Sequence, residues 1–353
     1  MKSVAMFNNK GGVGKTTLTC NLASFIATTY DLKVLVVDCD PQCNATQLIM
    51  GIDLAADLYI DGGNGAPSTI RDVLAPIEDG DSSINTDLIF HKAAENRFSI
   101  DLLPGHPHFA IIEDRLGAAW SQVKGRDKQG FRQTNWNTLL CAFLQDKYDL
   151  VIYDLGPSLG SINRSVLMGC QHFLTPLGSD VFSIIGVKNI SAWLDNWISD
   201  YEHSWNGLGS KDQEDLIEKY KVLSSPAILG GFVGYTVQQY ITKSYGKERR
   251  ATKAYEAIIG SVDSEIHSAL SGFYSPALSS DPTFAKLGDI PHLYSLVPLA
   301  QKKAVPIHGL TNADGLVGSQ YSAVREYSSR LTPIAENLLR NLKLPFVKDV
   351  VND

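Results

Sequence analysis

Short apolar runs punctuate this chain at intervals that leave room for a helix between neighbours. Residues 2–7 (KSVAMF), 33–38 (KVLVVD), 98–103 (FSIDLL) and 149–154 (DLVIYD) are four of them, and 170–177, 227–233 (AILGGFV) and 292–297 (HLYSLV) complete the set. The runs are too continuous to be half-exposed antiparallel strands. They predict interior strands of a mainly parallel sheet, buried on both faces. Between them, helical patterns cover 14–28, 109–119, 135–144 and 184–199. Strand and helix in alternation predict a doubly wound α/β fold with helices flanking the sheet.

A last long helix is expected over 320–342, where Val324, Tyr327, Leu331, Ile334, Leu338 and Leu342 form one apolar stripe. Pro333 is expected to kink or split it. The tail beyond this helix is poor in positive charge and ends acidic, so the stripe reads as packing on the sheet rather than as a membrane anchor. Glycine, serine, aspartate and proline dominate 61–68, 78–86, 207–213 and 271–282, which read as loops. The whole of 1–353 is read as a single domain with surface insertions at about 55–95 and 199–222.

The composition, 44% hydrophobic and 20% charged, is that of an ordinary globular chain, and the net charge of -7 excludes a globally basic nucleic-acid binder. Five cysteines lie at 20, 39, 43, 141 and 170 with no CxxC pair, which reads as free thiols in a reducing compartment. Asn8, Asn9 and Lys10 interrupt the first apolar run at once, so it does not read as a signal peptide, and no apolar stretch approaches membrane-span length. A cytoplasmic protein without membrane attachment is expected.

The most informative segment follows the first strand: NNKGGVGKTTLTCNLASFIA. Glycines at 11, 12 and 14 let the backbone N–H groups of Gly11, Gly12, Val13 and Gly14 turn inward at a helix N-terminus, a nest for phosphate. Lys15 is then placed to reach β- and γ-phosphates, Thr16 to offer its hydroxyl to Mg²⁺, and Thr17 to face the α-phosphate. The implied ligands are ATP and Mg²⁺. The common pattern places glycine at position 9, where this chain has Asn9, and the chain adds a lysine at position 10.

Two acidic segments stand at the ends of later strands. The second run closes VVDCDPQCNAT, which brings Asp38 and Asp40 to the crevice at the carboxyl edge of the sheet. The fourth closes YDLVIYDLGPSLG, where Asp154 has the setting of a carboxylate that supports a bound metal.

Lys10–Thr17 resembles, at every position, the deviant phosphate loop of the ParA/MinD ATPases. Asp38, Asp40, Pro41, Gln42, Asn44, Ala45 and Thr46 also match a ParA segment, with Cys43 in place of its usual glycine. After Asp154, Gly156 stands where that group usually has a proline. The resemblance implies that Lys10 acts in trans across an ATP-sandwiched homodimer. It also implies that Asp40 positions the attacking water and that Asp38 and Asp154 support Mg²⁺, leaving Lys10, Lys15 and Asp40 as the catalytic set. Residues 293–307 resemble a late segment with a strand, a proline and a loop near the adenine; Pro298 matches the proline, without the usual Arg-Asn after it.

Lys243, Lys247, Arg249, Arg250 and Lys253 form a basic cluster in an otherwise acidic chain, a candidate for salt-sensitive, non-specific DNA contact or a solvated helix face. The chain opens directly on a strand, so no N-terminal helix-turn-helix is expected. The resulting expectation is an ATP-switched partition or cargo-positioning ATPase that dimerises with ATP, contacts the nucleoid and is stimulated by a partner protein. The alternatives are an ATP-gated interaction scaffold and a MinD-like positioning switch.

Overall fold

In the computed structural model, residues 1–60, 65–240, 242–245, 248–251 and 253–346 are described; the side chains of Val181, Ile184 and residues 239–261 lie outside that description. Part of the loop expected at 61–68 and the acidic end of the tail also lie outside it. The strands are β1 Lys2–Met6, β2 Val34–Asp38, β3 Asp101–Leu103, β4 Leu150–Asp154, β5 His172–Gly178, β6 Phe232–Tyr240, β7 Thr242–Tyr245, β8 Glu248–Ala251 and β9 Lys286–Pro291. Seven of them form one sheet in the order β3-β2-β4-β1-β5-β6-β9, and every neighbouring pair in it is parallel. β7 and β8 form a separate antiparallel hairpin.

The continuous apolar runs are explained by burial on both faces. Ala5, Leu35, Val37, Val151 and Tyr153 pack into one hydrophobic cluster, with the helices Ala110–Lys124 and Trp136–Leu144. Their alternate neighbours Val4, Met6, Val34, Val36, Leu150 and Ile152 pack into a second, with the helices Lys15–Tyr30 and Gln320–Leu342. Successive side chains of a strand point to opposite faces, so a strand covered on both must be apolar throughout.

The last helix spans Gln320–Leu342, as expected, and buries Leu331, Ile334, Leu338 and Leu339 in the second cluster. Pro333 lies inside it and does not split it. Leu331 and Ile334, on either side of the proline, anchor both halves to the same core. Among the described residues no helix is long and apolar enough to cross a membrane.

Three strand expectations need correction. The third run pairs only over Asp101–Leu103, because Ser99 takes a left-handed φ of 56°, which breaks the extended path. The strand placed at 227–233 begins at Phe232 instead: Gly231 N–H bonds to the Ile228 carbonyl in a turn, and Gly230 takes a φ of 68°. The strand placed at 292–297 is Lys286–Pro291, and Leu296–Lys303 is a helix. Pro298 stands in that helix's first turn, where the absent N–H has no intrahelical partner to lose.

The expected insertions also have structure. Helices Ile52–Ile60 and Ile70–Glu78 occupy the first, the latter started by a capping box in which the Thr69 hydroxyl and backbone N–H both donate to Asp72. In the second, the helix Val181–Asn206 runs on past 199 and Ser210–Tyr220 follows it.

Candidate functional site

β1 delivers the chain to the glycine-rich loop, and the helix Lys15–Tyr30 starts where the loop ends. Gly12 and Gly14 have φ of 73° and 79°, left-handed values that side-chain-bearing residues adopt at a penalty. A Cβ at Gly12 would meet nothing within 4 Å, so backbone conformation, not space, demands glycine there.

Lys15 is buried and folds back over the loop, its Nζ donating to the carbonyls of Asn8 and Lys10, each at 3.0 Å. Burial pushes its ammonium pKa down, against the pull of Asp154 and Asp40. Asn8 ties the loop to the sheet: its Nδ2 donates to the Pro176 carbonyl at 2.7 Å, and its Oδ1 accepts from the Lys10 N–H at 2.9 Å. Lys10 forms an ion pair with Asp180 of its own chain, and Asp180 caps the helix Val181–Asn206 by accepting from the Ser183 N–H at 3.2 Å.

Asp38 and Asp154 end adjacent strands and are register partners. Thr16 Oγ1 donates to one Asp154 oxygen at 2.7 Å and Thr19 Oγ1 to the other at 3.0 Å. Asp38 accepts from the Thr46 N–H at 2.9 Å, the Thr46 hydroxyl at 2.7 Å and the Asp40 N–H at 3.2 Å. Burial raises the pKa of both carboxyls; Asp154 adds to the rise at Asp38, while the two threonine hydroxyls oppose it at Asp154. Asp40 sits just beyond, one oxygen accepting from the Gln42 N–H at 3.0 Å. A Cβ at Gly156 would lie 3.2 Å from the Asp40 carboxyl carbon, so the glycine found there makes room for that side chain.

Gly11, Gly12, Gly14, Lys15, Thr16, Thr17 and Asp40, among others, line a cavity of about 450 Å³. A second cavity of about 300 Å³ shares Gly14 and Thr17 with it and is lined by Gln238, Pro291, Tyr294 and Pro298. Pro298 therefore does border the site, but the proline that closes a strand is Pro291. Val13 is buried and is not among the residues that line either cavity.

The donor set fits Mg²⁺. Thr16, Asp38 and Asp154 offer hard oxygen atoms, the donors Mg²⁺ takes. Among the described residues no group of three or more His, Cys, Asp or Glu side chains is disposed to hold a metal alone. Mg²⁺ does not require one, since it is commonly held by one or two protein groups together with substrate phosphates.

The basic cluster lies away from this crevice in sequence, on the hairpin. Lys243 is paired with Arg250 and Ser244 with Arg249 across β7 and β8, and Lys253 opens the helix Lys253–Leu270. Lys247 lies outside the described residues, as do the side chains of the other four.

Sequence reasoning missed Thr19, Thr46, Asn8 and Asp180. Thr19 stands three residues after Thr16, hence on the same helix face, which was a usable signal. Asp180 precedes a helix as an N-cap does. That it meets Lys10, 170 positions away, is a product of topology.

A parallel sheet with a glycine loop feeding a helix N-terminus, and acids closing the adjacent strands, defines a P-loop nucleoside-triphosphatase fold. The AAA domain family matches residues 1–205. A virulence plasmid ParA family protein of Chlamydia psittaci is 30% identical over 194 residues, 54% of this chain and 62% of that one. The chromosome-partitioning ATPase Soj of Treponema pallidum is 30% identical over 188 residues, 53% of this chain and 60% of that one. The chain thus covers about three fifths of the length of these curated relatives. A solved structure from Corynebacterium diphtheriae matches 97% of this chain and 99% of its own, with a TM-score of 0.71 and 29% identity. The chain belongs to the ParA/MinD type of P-loop ATPases.

Lys15→Ala removes the one ammonium that spans the loop. Its affinity for a fluorescent ATP analogue is expected to fall by at least about 30-fold, the loss typical of a truncated, buried charge contact. Unchanged affinity in an anisotropy titration counts against this loop as the phosphate site.

Proposed function

We propose that this chain is a Mg-ATP-dependent molecular switch that dimerises with ATP, hydrolyses it slowly and works in DNA partition or in positioning cargo on the nucleoid. The observation that carries the reading is the convergence of Lys15, Thr16, Asp154 and Asp38 at one helix N-terminus, with Asp40 at the cavity's edge. The helix N-terminus and the loop N–H groups bind the phosphates, and Lys15 neutralises the β- and γ-oxygens. Bound Mg²⁺ supplies charge neutralisation on those phosphates, with Thr16 as its protein ligand and Asp154 and Asp38 holding its surroundings. Asp40 orients the attacking water; phosphoryl transfer needs positioning more than a strong base.

The neighbouring cavity at Gln238, Pro291 and Tyr294 takes the nucleoside end, since it opens from the same Gly14 and Thr17. Lys10 leaves Asp180 to reach the partner copy's nucleotide, where its charge acts on the transferring group. The hairpin gathers Lys243, Arg249 and Arg250 on adjacent strands, and with Lys247 and Lys253 it forms the DNA contact. A partner protein stimulates turnover, and the switch operates in the cytoplasm, at the nucleoid. The Treponema pallidum relative's role in chromosome partitioning supports this assignment.

Asp40→Ala is expected to bind ATP and remain dimeric, because hydrolysis no longer opens the dimer. Size-exclusion chromatography with ATP reads this directly; a variant that stays monomeric, or hydrolyses at the wild-type rate, excludes the assigned role.

Lys10→Ala is expected to keep ATP affinity within about threefold of wild type and to lose dimerisation or turnover, the pattern of a residue that serves the partner's site. Wild-type behaviour in both assays removes the trans role.

Arg249→Glu with Arg250→Glu is expected to abolish ATP-dependent retardation of DNA. In milder single variants, the slope of log affinity against log salt should flatten by roughly 0.9 for each phosphate no longer neutralised. No retardation by the wild-type protein at low salt disposes of the DNA assignment.

A further inference from the structure

Most of the helix Ile52–Ile60 falls in the stretch that reads as a surface insertion, yet through the loop after β3 and Thr46 it is linked by hydrogen bonds to the innermost carboxylate of the site. Gly105 lies at the centre of this connection. Its N–H donates to Thr46 Oγ1 at 2.8 Å, and the same hydroxyl donates to Asp38. Its carbonyl accepts from the Tyr59 hydroxyl at 3.2 Å. The Tyr59 ring packs edge-on to His106, with centroids 5.6 Å apart. The same loop is held from its other side, where the Ile70 N–H, at the start of the next helix, donates to the Pro104 carbonyl at 2.8 Å.

The fit around Gly105 is close. A Cβ there would stand 3.0 Å from the Asp38 carboxyl carbon and 3.1 Å from Cys43 Sγ. Cys43 itself has a φ of 52°, a left-handed value suited to glycine. It is fully buried, and its N–H donates to the Asp40 carbonyl at 2.8 Å. Gly105 therefore bears on segment 38–46 at three points, Asp38, Cys43 and Thr46, and Cys43 holds there a backbone conformation its residue type does not favour.

We propose that Tyr59 is a positioning residue for hydrolysis. Through Gly105 and Thr46 it fixes Asp38, and through the hydrogen bond from the Asp40 backbone N–H to Asp38 it fixes the backbone that carries the water-orienting carboxylate. It lines neither the cavity at the glycine-rich loop nor the one beside it. The proposal rests on the hydrolytic reading of Asp40 above. It makes the first insertion a brace of the catalytic segment rather than a passive addition.

Tyr59→Phe keeps the ring and its contact with His106 and removes only the hydroxyl, so it is expected to fold. Its kcat for ATP is expected to fall by about 3- to 10-fold, the effect of removing one hydrogen bond, with the affinity for a fluorescent ATP analogue unchanged. Independently of turnover, amide hydrogen exchange in nucleotide-free protein should quicken over 38–48 and not over 10–19. Gly105→Ala pushes on Asp38 directly and should reproduce the same split between turnover and affinity. Wild-type turnover in Tyr59→Phe overturns the proposal, whether or not exchange changes, and so does a loss of nucleotide affinity equal to the loss of turnover. If the wild-type chain hydrolyses no ATP, the hydrolytic reading itself fails. The exchange comparison then decides alone whether Tyr59 holds the segment, and unchanged exchange overturns that as well.

Discussion

The site is built around two carboxylates that the fold forces together. Asp38 and Asp154 end adjacent parallel strands at paired register positions, and both are fully buried. Side by side in a low-dielectric interior, two negative charges repel, and burial already disfavours each. Several neighbouring donors moderate that conflict. Thr16 and Thr19 donate to Asp154; Thr46 and the Asp40 backbone donate to Asp38; Lys15 lies close enough to be pulled by Asp154. The moderation is incomplete, which is why both carboxyls titrate high. In the proposed Mg-ATP complex the cation would relieve what remains, and the nucleotide's own negative charge would meet the loop N–H groups and the helix N-terminus. An acidic pocket set behind an anion-binding loop thus favours a metal–phosphate pair over either ion alone.

That constraint also explains which parts of the fold could be read from the chain. β1, β2 and β4 form the centre and bear the site, so their runs are apolar on both faces and end at the residues that matter. The far half is less regular. β6 carries Thr236 and Gln238 as buried polar residues, with Gln238 donating to Thr236 Oγ1 at 2.9 Å, so its apolar signal is diluted. The more apolar stretch just before it is a turn governed by Gly230. At β9 the confusion is between strand and helix: HLYSLV is a short apolar run, and such runs do not declare their period. There Tyr294 takes a φ of 44° and turns the chain out of the strand into a helix.

Within the site, legibility followed sequence distance. The loop glycines, Lys15, Thr16 and the acids lie within a few residues of a strand end, and the chemistry of each is local. Asn8 bonded to Pro176, Lys10 to Asp180 and Thr46 to Gly105 are contacts between segments 59 or more positions apart. No local pattern encodes them; they follow from the order in which the strands are laid side by side. Cys43 lies between these cases. Its departure from glycine is visible in the chain, but only the φ of 52° shows that the position demands a left-handed backbone.

The Lys10–Asp180 contact bears on how the proposed switch would be balanced. Their side chains are 35% and 40% exposed, so water screens the pair and it contributes little to stability. Burial raises the Asp180 pKa, but the hydrogen bond and charge of Lys10 outweigh that, and its carboxyl titrates below the usual range. A strong pair would hold Lys10 at home and oppose the proposed dimerisation. A weak one only restricts where the ammonium lies, beside the loop that the proposed trans role would have it leave. Asp180 does not become unsatisfied when Lys10 departs, because it still accepts the Ser183 N–H as the helix cap and Ser183 Oγ remains bonded to the Gly178 N–H at 3.0 Å. Under the proposed trans role, Lys10 would exchange a screened carboxylate for the denser charge of a nucleotide's phosphates while the local structure stays intact, and the direction of exchange would be set by whether a nucleotide is within reach.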